Sequence, residues 1–149
     1  MSRVPKDFDA ENAENLQEIE KQFAVVAVEH AETYWSLLEK FGGANLKLTP
    51  IDNEIYDDFV ATFPEYLENP DKVRLVNEDE IKNKVNKKKW FDFAARYEKK
   101  VPDFNFGALL RLDSSKEYTQ ENTCFSFRVQ FDAFEIFRNR HGLNDWIKK

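Results

Sequence analysis

One segment near the C-terminus constrains the fold more than any other. Phe125, Phe127, Val129 and Phe131 alternate, and the spacing then changes to threes and fours through Ala133, Phe134, Ile136 and Phe137. A helix that is apolar around most of its circumference must be covered on every side. The pattern predicts a helix over 123–140, capped by Asn122 and closed by Gly142 after Arg140-His141, at the centre of the core. The rest of the chain has to wrap around it.

The wrapping material reads as helix. Leu16, Ile19, Phe23, Val26, His30, Tyr34, Leu37 and Phe41 recur at helical spacing behind Asp9, a cap supported by Glu11 and Glu14. Gly42-Gly43 supplies the stop. Thr49, Pro50 and Asp52 open a second helix through Ile55, Phe59 and Phe63, which Pro64 ends. Residues 65–76 read as a connector. Asn77 and Glu80 form a capping-box-like pair before 78–100, read as two short helices or one bent helix ended by Pro102. Residues 104–113 are ambiguous: Phe104, Phe106, Ala108, Leu110 and Leu112 alternate as a strand would, but no flanking strand with hairpin-turn chemistry is visible. A short buried helix is preferred there. Only 4 Gly and 5 Pro among 149 residues argue against a many-turned β-sandwich. The expectation is one all-α domain, an orthogonal helical bundle over 9–146 with a long N-terminal helix and a buried C-terminal one, flanked by tails at 1–8 and 147–149.

Composition narrows the function. The four glycines form neither GxGxxG nor GxxxxGK[ST], which argues against the glycine-rich nucleotide loops. Cys124 is the only cysteine, so no internal disulfide, CxxC pair or cysteine-rich zinc site is encoded. The first residues lack the apolar stretch of a signal peptide, and an intracellular protein without membrane spans is expected. Net charge is −6, but residues 1–80 carry −12 and residues 81–149 carry +6. Such polarity either steers a charged partner or draws the two halves together. The acidic total argues against general nucleic-acid binding.

No catalytic, cofactor-binding or metal-binding set emerges. His30 lies on the apolar stripe, where a packed core histidine is the simpler reading, and His141 adjoins a helix end. Two distant histidines and one cysteine are a poor zinc set. Asp7-Phe8-Asp9 spells DxD but falls in the expected tail. Lys87-Lys88-Lys89 is either a solvated helix face or a contact for an acidic partner. Trp35, Trp90 and Trp146 read as core or edge packing. What remains is a concentration of planar polar groups: Arg128, Arg138, Asn139, Arg140 and Asn144 around the last helix, joined by Arg111. Arginine forks suit carboxylates and interface anchoring, so these six residues are the candidate partner-binding set.

The C-terminal half carries long distinctive blocks: Trp90-Phe91-x-Phe93, the run Asp103 to Asp113, the run Tyr118 to Thr123, and Arg128-Val129-Gln130-Phe131-x-Ala133-x-Glu135-Ile136-x-Arg138-Asn139-Arg140-x-Gly142. These resemble the eukaryotic polysaccharide-biosynthesis-domain-containing protein family over residues 10–145. Phe137 and His141 depart from the family's usual residues. The resemblance implies an all-α bundle and a monomeric chaperone, cytoplasmic with the nucleus as a second location. Its implied client is the newly made GTPase domain of translation elongation factor 1-alpha, met near the ribosome-associated nascent-polypeptide complex and released as it folds and binds nucleotide. No cofactor, membrane or direct nucleic-acid contact is implied. A passive scaffold for mature partners and an enzyme of polysaccharide biosynthesis are the alternatives. On this reading Arg128, Arg138 and Arg140 form the rim of the client-binding face.

Overall fold

The last helix is where the pattern puts the centre. In the computed structural model, which describes the backbone of residues 13–149 and side chains from residue 24, α7 spans Arg128–Arg140. Every residue from Val129 to Asn139 is buried. It starts five residues later than expected. Thr123–Phe127 forms strand β2, which pairs antiparallel with β1, Gly107–Arg111, in the register Leu109↔Phe125 and Leu110↔Cys124.

The all-α expectation is therefore corrected: among the described residues, seven α-helices are joined by a two-stranded antiparallel sheet. The helix preferred for 104–113 is a strand, and its partner is the alternating start of the final segment. The connection between them, 112–122, is long and held by side chains. Asn122, expected to cap the helix, instead accepts from the Asp113 N–H (2.8 Å) and donates to the carbonyls of Asp113 (3.0 Å) and Glu117 (2.9 Å). One side chain does what a tight turn does in a short hairpin.

The long helix α1, Ala13–Phe41, ends at Gly42, whose φ of 79° needs a residue without a Cβ. Its buried seam is Ala27, Ala31, Tyr34 and Leu38. Val26, Leu37 and Phe41 of the predicted stripe are exposed, because small alanines carry α1 against β1. Asp9 and the start of the predicted helix, the 1–8 tail and the Asp7-Phe8-Asp9 motif lie outside the described residues. α2 spans Asp52–Thr62, and the Thr49/Asp52 spacing works as a box: Asp52 accepts from the Thr49 N–H and hydroxyl, both at 2.7 Å. Pro64 opens α3, Pro64–Glu68, as the break requires. The expected connector holds α3 and α4 (Asp71–Arg74), which bury Tyr66 and Val73. Asn77 and Asn83 cap α5 (Glu78–Ile81) and α6 (Lys84–Ala95).

The core is aromatic. Phe59, Phe63, Trp90 and Phe134 meet around α7, with Phe63 stacked on Trp90 at 4.7 Å. The chain end expected as a tail is docked: Ile147 is buried, and the Lys149 N–H donates to the Glu39 carbonyl of α1 (2.9 Å).

Candidate functional site

The end of α7 turns its polar residues inward. Glu135, one turn before the helix end, accepts from the Tyr34 hydroxyl (2.8 Å), from Arg138 Nη1 (2.8 Å) and from Asn144 Nδ2 (3.1 Å). Arg138 also donates to the carbonyls of Val73 (2.9 Å) and Leu112 (3.2 Å), tying α4 and the end of β1 to α7. Arg111 donates to the Ser114 and Lys116 carbonyls and to Asn144 Oδ1, and its guanidinium lies over Trp35 and Tyr118. Asn139 donates to Tyr34 and accepts from Asn144 (2.7 Å). Burial alone would raise the Glu135 carboxyl, but Arg138 and Arg111 hold it below the usual carboxylate range. One carboxylate thus sits between two buried guanidiniums.

This settles where the six predicted residues lie. Arg111, Arg138, Asn139 and Asn144 are buried and cannot form a rim for a partner. Of the two others, Arg128 is half-buried and Arg140 is exposed. Arg128 is held by Asp103 (2.6 Å), and Arg140 bonds Asn53 and lies over Tyr56. The sequence pattern showed a concentration of arginine forks but not which way each one faces.

The other chemical candidates are packed. Cys124 is buried and its thiol is pushed up to about 11 by that burial, so it is not a ready nucleophile. His30 meets Phe131 edge to face at 5.1 Å, and burial, with Arg128 second, lowers its pKa to about 4. His141 stacks on Phe137 at 3.9 Å and shares a hydrogen bond with the Tyr56 hydroxyl. Asp132 is buried, makes no hydrogen bond or ion pair among the described residues, and lines a concavity of about 160 Å³ beside His30. Among the described residues no cluster of three potential metal ligands exists, and no helix is long and apolar enough to cross a membrane.

A different surface stands out. Between β2 and the α5–α6 pair lies an apolar groove of about 360 Å³, walled by Ile81, Trp90, Phe91, Phe125 and Phe127, with Lys87 and the ion pair of Lys82 and Glu78 at its side. Phe91 is 73% exposed and Phe125 56%. Exposed large apolar side chains grouped beside a groove mark an interaction surface. Of the lysine run, Lys88 pairs with Asp92 and Lys89 lies over the Phe63 ring, whereas Lys87 lines the groove without an ion pair among the described residues. Sequence reasoning singled out the lysines and the alternating Phe125 and Phe127, but not a groove between them; on α6 neighbours stand about 100° apart, and Trp90 turned inward leaves Phe91 at the surface.

Comparison with known proteins places this architecture. A "Protein PBDC1 homolog" of Schizosaccharomyces pombe is 59% identical over 142 residues, covering 95% of this chain and 96% of that one. The "Protein PBDC1 homolog" of Saccharomyces cerevisiae is 56% identical over 140 residues, covering 94% and 95%. Human "Protein PBDC1" is 41% identical over 135 residues, which are 91% of this chain and 56% of the human protein. A solution NMR structure of a Saccharomyces cerevisiae protein superposes with a TM-score of 0.83 at 55% identity, covering 96% of this chain and 97% of that one. The profile of the family described as PBDC1 protein matches residues 19–149, and the resemblance read from the C-terminal blocks agrees with it: the chain belongs to the PBDC1 family.

Proposed function

We propose that the protein is a non-catalytic chaperone that binds the newly made GTPase domain of translation elongation factor 1-alpha in the cytosol and releases it as that domain folds and binds nucleotide. The observation that carries the reading is the groove beside β2, where Phe91 and Phe125 are left in solvent next to lysines. An apolar groove with a charged border holds a partly folded client through side chains that the client later buries for itself. Release follows when native contacts or nucleotide favour the client's folded state over the bound one. The buried arginines belong to the scaffold in this reading, and the surface that does the holding is the groove.

The test is capture of the client during synthesis, compared with mature factor, with and without GTP or GDP. The expected result is enrichment of the nascent GTPase domain that fades as the nucleotide-bound native protein forms. Equal capture of mature factor would make the protein a scaffold. No capture of either would remove the elongation factor from the proposal.

A further inference from the structure

The groove has a second property, set by the backbone of β2. The Leu112 N–H donates to the Asn122 carbonyl at 2.8 Å, so residue 122, one step beyond the Arg111↔Thr123 pair, faces β1. In an antiparallel ladder the N–H and C=O of one residue point to the same side, and successive residues alternate. Cys124 and Ser126 therefore face β1, while Thr123, Phe125 and Phe127 face away from it. On β1 the same parity turns the Leu109 carbonyl outward, and the Tyr118 hydroxyl takes it (3.1 Å). On β2 no described group takes the N–H or the C=O of Phe125.

That open edge carries no charge, proline or bulge. Exposed edges are blunted by charges, proline or bulges. Thr123–Phe127 reads Thr-Cys-Phe-Ser-Phe, without charge or proline, and its ladder to β1 is unbroken. All four residues from Cys124 to Phe127 line the groove. Side chains of one strand alternate between two faces, so a groove lined by four residues in succession wraps around the strand's edge; this one continues beneath the sheet to Leu110 and Gln130. Trp90 Nε1 and Ser126 Oγ, of two groove-lining residues, are buried without a hydrogen-bond partner among the described residues.

Charge selects the occupant. Of the three charged residues lining the groove, Glu78 and Lys82 pair with each other, and Lys87 is left without an ion pair among the described residues. A second copy pairing edge to edge would bring two unpaired Lys87 side chains to the same groove, which like-charge repulsion disfavours, whereas an acidic segment would pair with Lys87.

We propose that the edge of β2 docks an extended acidic segment of a partner protein as a third strand, its backbone paired with Phe125 and its alternate apolar side chains entering the groove against Trp90 and Phe91. The proposal shares with the chaperone reading only that this groove is a contact surface. It specifies a binding mode and holds for any partner bearing such a segment.

The test is selection of a displayed library of random heptapeptides on the intact protein, followed by binding of the winning peptides made synthetically. Winners should alternate apolar and acidic residues, slow the hydrogen exchange of the Phe125 amide, and weaken about tenfold when the alternate amides facing β2 are N-methylated, which removes backbone hydrogen bonds and keeps every side chain. Lys87→Glu should weaken them further at low salt than at high salt. The mode is overturned by an absence of winners, by basic winners, by winners indifferent to N-methylation, or by a concentration-dependent dimer that already protects Phe125. Elongation factor captured by a protein that fails these tests would leave the chaperone reading standing and remove only the strand.

Discussion

The inner end of α7 and the groove beside β2 both gather aromatic rings and cationic side chains, yet they dispose of them in opposite ways. Around Glu135 the strong polar groups are partnered except for Arg111 Nε: Arg138 spans α4, β1 and α7, Arg111 closes the 112–122 loop, and Tyr34, Asn139 and Asn144 link α1 to the chain's end. Beside β2, Phe91, Phe125 and Lys87 touch solvent, and no described group pairs with the outer backbone edge at Phe125. Burying a charge is costly unless it is fully paired, so the first region is committed to one arrangement. Exposing apolar groups costs little folding stability, so the second is available for a partner. The same residue types thus build a brace in one place and a surface in the other, and burial tells them apart.

The largest effect should come from breaking the brace. Glu135→Ala leaves two buried guanidiniums without their carboxylate and should cost about 3–5 kcal/mol, read from urea unfolding. Arg138→Glu is worse, since it sets a second buried carboxylate beside Glu135; it should prevent folding altogether. Arg140→Glu, on the exposed neighbour, should stay within about 0.5 kcal/mol of the parent. A mild Glu135→Ala would mean that water reaches the network and that the contrast between the two regions is weaker than the burial implies.

That triple also shows what the sequence could and could not convey. Arg138-Asn139-Arg140 reads as one cluster, because adjacent residues share a neighbourhood on paper. On a helix, neighbours in sequence stand about 100° apart, so two point inward and one outward. The direction is fixed by where Glu135, Tyr34 and Asn144 lie, and two of those are more distant than a turn of helix. The aromatic core and the central helix were legible because Phe131, Phe134 and Phe137 carry a periodic signal. Capping was legible at Asn77 because it is local. The sheet was not, since β1 and β2 are joined by 112–122, whose closure depends on Asn122 reaching back across nine residues to Asp113 and not on a two-residue turn. The groove was legible only as separate lysines and phenylalanines, for its other wall is the strand that the pattern reading turned into helix.

A smaller loss tests how tightly the brace is packed. A Cβ at Gly43 would run into Asn139 Oδ1, and Asn139 cannot swing away without leaving Tyr34 and Asn144. Gly43→Ala should therefore cost about 1–3 kcal/mol, measured by thermal or urea unfolding. A neutral result would show slack in the packing between Gly43 and Asn139.

A pH-dependent effect, smaller again, separates the half-buried histidine from the brace. His30 has its pKa lowered to about 4 by burial and by Arg128, with Asp103 opposing. Its ordinary value is 6.5, so the unfolded chain binds its proton first. The contribution is complete above pH 6.5 and declines as pH falls towards 4, then stays flat. His30→Gln should remove that slope, seen as a stability difference from the parent that shrinks across this window. Asp132 lies in the same concavity and its carboxyl is raised by burial, an opposite dependence, so the comparison must be between parent and variant at each pH. A difference that does not change from pH 6.5 to 4 would mean His30 is solvated.

The smallest expected change in stability is the most informative about the surface. Phe91 is 73% exposed, and Phe91→Ser removes little buried area, so unfolding should shift by no more than about 0.5 kcal/mol. Binding should respond in the other sense. If the groove holds an apolar side chain of a partner, losing the Phe91 wall should weaken peptide or client capture while Arg140→Glu, outside the groove, leaves it unchanged. A variant that binds as well as the parent would confine the docking surface to the backbone edge of β2. A variant that unfolds readily would show that Phe91 belongs to the core despite its exposure, and the distinction between a committed interior and an available groove would have to be redrawn around Trp90 alone.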